Sequence, residues 1–134
     1  FQDGDIIWAR ITPCMQNGKS AILTNLVNGK GYGSTEFHII RIKSSDVLPQ
    51  YIHTLLRHFD VLSDAKKYFT GSAGQQRVPT SYLENLLIPV PPLEVQKQIA
   101  DEYANGIEQA KQGYIKIYNY KQKLKKNFET QIFE

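Results

Sequence analysis

The polar run Thr70-Gly-Ser-Ala-Gly-Gln-Gln-Arg-Val-Pro79 holds the most distinctive chemistry in this chain. Gln75, Gln76 and Arg77 offer amide and guanidinium groups, which pair bidentately with adenine and guanine edges or clamp phosphates. Gly71 and Gly74 let backbone N–H groups approach a phosphate closely. The competing reading is a glycine-rich connection whose polar side chains tie it to the domain, and the residues alone leave the two even.

Other chemical motifs are weaker. Asn17-Gly-Lys-Ser20 is a fragment of a phosphate-binding loop, but the position where that motif needs its first glycine is Pro13. Gly31-Tyr-Gly33 precedes a predicted strand instead of following one, so it reads as a tight turn and not as a dinucleotide fingerprint. Cys14 with His38, His53 or His58 would make a thiol–imidazole pair. No neighbour in sequence activates Cys14, and His53 and His58 fall opposite the apolar face of their helix. The carboxylates do not cluster as metal ligands or as an acid–base pair. No catalytic residue, cofactor or metal is expected.

These groups need elements to position them. Asp5–Ile11, Lys19 to about residue 25 and Ser34–Ile42 read as strands. In the third, Phe37 and Ile39 alternate with Glu36 and His38, which predicts the apolar pair inward. Asn17–Gly18 and Asn28–Gly29 are turn signals. Pro49 opens an amphipathic helix to Phe59, with Tyr51, Ile52, Leu55, Leu56 and Phe59 on its apolar face, and Val61–Tyr68 adds a shorter one. Ser81 and Glu84 have capping-box spacing, predicting a short helix over 82–85. Leu86-Leu-Ile-Pro-Val90 reads as a brief strand. The order argues for an α+β fold, a mixed β-sheet with packed helices.

Pro89-Val-Pro-Pro-Leu-Glu-Val-Gln-Lys-Gln-Ile99 divides the chain. Three prolines end any sheet, and Glu94 suits the positive end of a helix dipole. Residues 1–92 form a head and 93–134 one helix, roughly 60 Å long at about 1.5 Å per residue. Tyr103, Ile107, Ala110, Tyr114, Ile117, Leu124 and Phe128 follow a heptad seam, interrupted by Lys121 and extended to Gln131. Such a seam needs another helix. Gly106 and Gly113 weaken the helix by about 1 kcal/mol each relative to Ala, so packing must hold it. Its lysines (Lys111, Lys116, Lys121, Lys123, Lys125, Lys126) read first as a solvated face and second as a polyanion stripe.

Composition bounds the reading. The 134 residues suit one domain plus an appendage, and a net charge of +3 permits a polyanion partner without demanding one. The single cysteine allows no internal disulfide, consistent with the cytoplasm. No apolar run approaches the ~20 residues of a membrane span. Phe1-Gln-Asp-Gly4 reads as the interior of a longer protein.

Taken in order, GDIIWARITPCMQNGKSAIL, GYGSTEFHIIR, LPQYIHTLLR, TGSAGQQRVP, LENLLIPVPPLEVQKQI and the closing KLKKNFETQIFE resemble the specificity subunit of type I restriction-modification systems. The resemblance implies a partial target recognition domain over 1–92 and a spacer helix over 93–134. It implies a non-catalytic module that reads one half of a split double-stranded DNA target. Its partners would be the methyltransferase and restriction subunits, the former docked on the helix. No Asn-Pro-Pro-Tyr motif and no glycine-rich S-adenosylmethionine loop is present, so methylation would come from a partner. Members read different sequences yet share the Thr70–Pro79 loop, which implies that Gln75, Gln76 and Arg77 hold the loop or contact phosphate. Lys19, Ser34, Thr35, Gln75, Gln76 and Arg77 are the residues expected to face DNA or to order that face. The seam is expected to pair two copies of this chain as an antiparallel homodimer over residues 99–132. The alternative is a helical scaffold whose head binds protein, not DNA. The target sequence and the methylated base are not encoded in any motif found here.

Overall fold

Trp8 sets the buried face of the head. In the computed structural model, which describes residues 1–133 (Phe133 by its backbone alone), strand β1 spans Ile6–Ala9 and is the centre of a three-stranded sheet. Strand β2 (Ser20–Ile22) and strand β3 (Phe37–Ile40) flank it, each antiparallel to β1, so no parallel pair occurs among the described strands. Ile6 pairs with Ile22 and Ile40, and Trp8 with Ser20 and His38. Ile6 and Trp8 are fully buried, because period-two alternation puts both on the side that the helices cover. All three strands are shorter than the sequence suggested. β2 stops before Asn25, whose φ of 59° is left-handed and breaks extended pairing.

Helices α1 (Pro49–Leu56), α2 (Phe59–Lys66) and α3 (Thr80–Asn85) complete the head. Tyr51, Ile52 and Leu56 of α1 join Ile6, Trp8, Met15, Ala65, Val78 and Tyr82 in one core. The Trp8 indole N–H donates to Leu56 O at 3.2 Å, satisfying the one polar atom of the largest core side chain. Tyr82 stacks 6.5 Å from Trp8, and its hydroxyl contacts Val61 O and Asp64 Oδ2.

Several expectations need correction. His38 points into the core and Ile39 is 44% exposed, the reverse of the predicted alternation. Phe37, Ile39, Ile40 and Ile42 are apolar on both parities, so only the register with Trp8 decides which face is buried. The first helix ends at Leu56, not Phe59. His58 turns out of it and caps α2, its Nδ1 accepting from Asp60 N at 3.2 Å, which leaves Phe59 exposed. The Ser81–Glu84 capping box does not form, because α3 starts at Thr80 with the extended Pro79 before it and no side-chain cap. Leu86–Val90 is not a strand: it pairs with nothing in the sheet, Leu87 is exposed, and Pro89 lacks a donor. Gly31 and Gly33 form no tight turn. They flank the Phe1 ring, and a Cβ on Gly31 would lie 2.3 Å from Phe1 Cε2.

Helix α4 (Leu93–Phe133) begins as expected after Pro92, whose carbonyl accepts from Val95 and Gln96. Gln96 is fully buried. It accepts from Leu48 N at 2.9 Å and donates to Asp46 O and Pro91 O, both at 2.8 Å. The compact head therefore reaches Ala100, two turns into α4. The rest of α4 from Asp101 is a separate unit, and Glu134 lies outside the described residues. No helix among the described residues is long and apolar enough to cross a membrane.

Candidate nucleic-acid interface

The end of β1 is where the candidate residues collect. Ala9 N donates to Lys19 O at 2.9 Å on one side, and Arg10 N donates to Glu36 O at 3.0 Å on the other. The chain beyond the loop joins them. Val78 N donates to Arg10 O at 2.8 Å, and Thr12 N donates to Gln76 O at 3.0 Å. Backbone pairing thus brings Lys19, the Ser34–Glu36 approach to β3 and Gln76–Val78 to one end of the sheet.

The loop closes on itself through reciprocal bonds, Thr70 N to Arg77 O and Arg77 N to Thr70 O. Gly71 carries φ of 110°, and a Cβ there would stand 3.0 Å from Gln75 O, so the turn needs glycine on both counts. Arg77 then reaches away from its own loop. Its Nε donates to Glu36 Oε2 at 2.8 Å, its Nη2 to Oε1 at 2.7 Å, and its Nη1 to Gln75 O at 3.1 Å. This two-pronged fork holds the Glu36 carboxyl below the usual carboxylate range. Glu36 is itself placed by Ser34, whose Oγ accepts from Glu36 N at 3.1 Å. Arg77 is thus one half of an ion pair, and four more of the six candidates, Ser34, Thr35, Gln75 and Gln76, lie on the two segments that the pair joins. Thr35 and Gln75 are exposed. Lys19 lies across β1 from them, exposed, at a surface hollow of about 390 Å³ shared with Cys14, Asn17, Gly18, Ser20 and Arg57.

The histidines serve the scaffold. His38 Nε2 stands 2.9 Å from Val78 O, and since a carbonyl only accepts, Nε2 carries the proton. Burial holds this imidazole below its ordinary range, with the Arg10 charge adding to the effect. His53 does not face solvent as its helix position suggested. Its Nε2 lies 3.0 Å from Ser20 Oγ, joining α1 to β2, and burial lowers its pKa too. Neither imidazole is hydrogen-bonded to Cys14, and no group of three or more His, Cys, Asp or Glu among the described residues is placed to hold a metal ion.

Glu36 and Arg10 escaped the sequence reading. Arg10 was legible only as a charge at the core-facing parity of a strand, two residues beyond Trp8. Its Nε is buried and has no hydrogen-bond partner among the described residues.

The family profile described as "Type I restriction modification DNA specificity domain" matches residues 1–111, which is the whole head and the start of α4 beyond it. The chain belongs to that family. Among its relatives, the type I restriction enzyme EcoEI specificity subunit of Escherichia coli is 44% identical over 104 residues, 78% of this chain and 18% of the relative. The EcoAI specificity subunit of the same organism is 43% identical over 99 residues, 74% of this chain and 17% of the relative. A putative type I restriction enzyme MjaX specificity subunit of Methanocaldococcus jannaschii is 31% identical over 136 residues, 98% of this chain and 32% of the relative. This type I specificity domain thus spans less than a fifth of the E. coli relatives it matches. No solved structure matches it significantly.

Proposed function

We propose that this chain is a non-catalytic DNA-specificity module of a type I restriction-modification system, acting in the cytoplasm. Its head would contact one half of a bipartite duplex target, and its long helix would dock the methyltransferase subunit of a complex that also holds a restriction subunit. The observation that carries the reading is the family match across the whole head. The convergence of Lys19, Ser34, Thr35, Gln75, Gln76 and Arg77 at one end of the sheet supports placing the DNA face there. With both Glu36 oxygens on its guanidinium, Arg77 orders the loop in preference to reading a base.

Duplex binding across a salt series tests this. Affinity should fall steeply as salt rises, because each neutralised phosphate releases counterions. Arg77→Ala should weaken binding uniformly across sequences, by unsettling the Thr70–Pro79 loop. Loss of preference at one base pair, with nonspecific affinity kept, would instead make Arg77 a base reader. Absence of duplex binding by the native chain would favour a scaffold whose head binds protein.

The same reading assigns α4 a pairing role. We propose an antiparallel homodimer of this chain through residues 99–132, each seam covering the other.

A further inference from the structure

We infer that Arg10 is a phosphate anchor: its guanidinium takes a phosphodiester oxygen of duplex DNA at the end of the sheet that the Glu36–Arg77 pair shapes. The inference rests on the DNA-binding reading above and names a residue that reading does not contain.

The Arg10 backbone is fixed on both sides, donating to Glu36 O and accepting from Val78 N, so its side chain starts from a rigid base. The residue is partly exposed, yet its Nε is buried without an acceptor. A buried donor on a charged group is expensive to leave unpaired, and since Nε itself is closed to solvent, an outside acceptor can meet this guanidinium only through its other nitrogens. Glu36, the carboxylate that lies within reach of Arg10's charge, gives both oxygens to the Arg77 fork and makes no hydrogen bond to Arg10 Nε. Two guanidiniums and one carboxylate leave a net charge of +1 here (2 − 1). His38 adds none at neutral pH, since burial keeps it unprotonated.

A planar cation short of an acceptor is best matched by an oxyanion with several oxygens, which a phosphate is. The setting favours a polymer over a free ion. Thr35, Gln75 and Lys19 stand exposed about the same end of the sheet, giving an extended polar surface and not an enclosed cradle. Phosphate contacts of this kind fix the register of a protein on DNA without reading sequence. Arg10 would therefore hold the head in place while other side chains discriminate bases.

The test measures binding of the full chain to a mixed-sequence duplex by fluorescence anisotropy across a salt series. Arg10→Gln should weaken binding roughly three- to tenfold at low salt and reduce the slope of log affinity against log salt by about 1. Arg10→Lys, which keeps the charge and the stem, should keep the slope and lose part of the affinity, and it serves as the readout if Arg10→Gln does not fold. Lys66→Gln, at the exposed end of α2, reports the cost of losing any one charge and should change neither quantity. Equal slopes for native and Arg10→Gln proteins, or an equal effect of Lys66→Gln, would each overturn the Arg10 assignment while leaving DNA binding standing. A native chain that binds no duplex overturns both.

Discussion

His38 is a buried imidazole stacked at 6.0 Å on Trp8, with its one proton given to Val78 O. Its folded pKa is lowered, chiefly by burial, and so is that of His53. A depressed folded value means the unfolded chain binds protons more readily. The stability these groups carry is therefore complete above the unfolded value of about 6.5 and is lost as pH falls through it toward the lowered folded values. Urea midpoints should drop between about pH 7.5 and about pH 5.5. His38→Gln keeps a donor for Val78 O and removes the titration, so the drop should shrink. An unchanged drop would place the pH dependence elsewhere. Arg77 and Arg41 show the opposite use of charge. Arg41 forks onto the buried Asp5 at 2.7 Å for both bonds, as Arg77 does onto Glu36. Each fork holds its carboxyl below the ordinary range and ties a strand end to a distant segment.

Among elements, the junction between head and helix depends most on a single side chain. Gln96 fills its three hydrogen bonds with the backbone of Asp46, Leu48 and Pro91, which joins the segment before α1, the proline run and the first turns of α4. Proline supplies no N–H, so the Pro89–Pro92 run cannot organise itself through a ladder and relies on such side-chain bonds. Truncation would leave a buried donor and two acceptors unmatched, at roughly 1–3 kcal/mol for each group that water cannot reach. Gln96→Ala should lower the unfolding free energy by at least about 2 kcal/mol, read by urea titration of the Trp8 fluorescence. Gln96→Glu would keep the acceptor for Leu48 N, lose both donors and bury a carboxylate, so it should cost at least as much. A change below about 0.5 kcal/mol for either variant would mean that the junction is held by apolar contact instead.

For the whole molecule, the governing fact is the seam of α4. Tyr103 and Ile107 are half-buried, whereas Tyr114, Ile117, Leu124 and Phe128 are 74%, 55%, 49% and 61% exposed. Each such side chain stands to contribute roughly 1.5–3 kcal/mol if fully buried. A helix with Gly106 and Gly113 in open positions cannot rely on intrinsic propensity, so association is the available source of stability. Two-fold pairing is the commonest closed arrangement. Sedimentation at micromolar concentration should find a dimer, and Ile117→Lys with Leu124→Lys should shift it to monomer without unfolding the head. A native monomer whose helix remains intact by circular dichroism would refute the pairing.

Local patterning determined much of this protein. The β-branched and aromatic content of Ile6–Ala9, the helical spacing after Pro49 and the unbroken run after Pro92 each specify an element through contacts within a few residues. The glycines of the Thr70–Pro79 loop were legible for the same reason. Tertiary structure alone decided what those elements present. Arg77 meets Glu36 across 41 residues, and Gln96 meets Asp46 across 50. His38 is buried because its register places it opposite Trp8, not because of its own neighbours. Arg10 Nε is buried without a partner while Arg77 forks onto the carboxylate nearby. Partners so distant leave no period in a sequence. A short strand that is apolar on both parities leaves its buried face to be set by whatever packs against it.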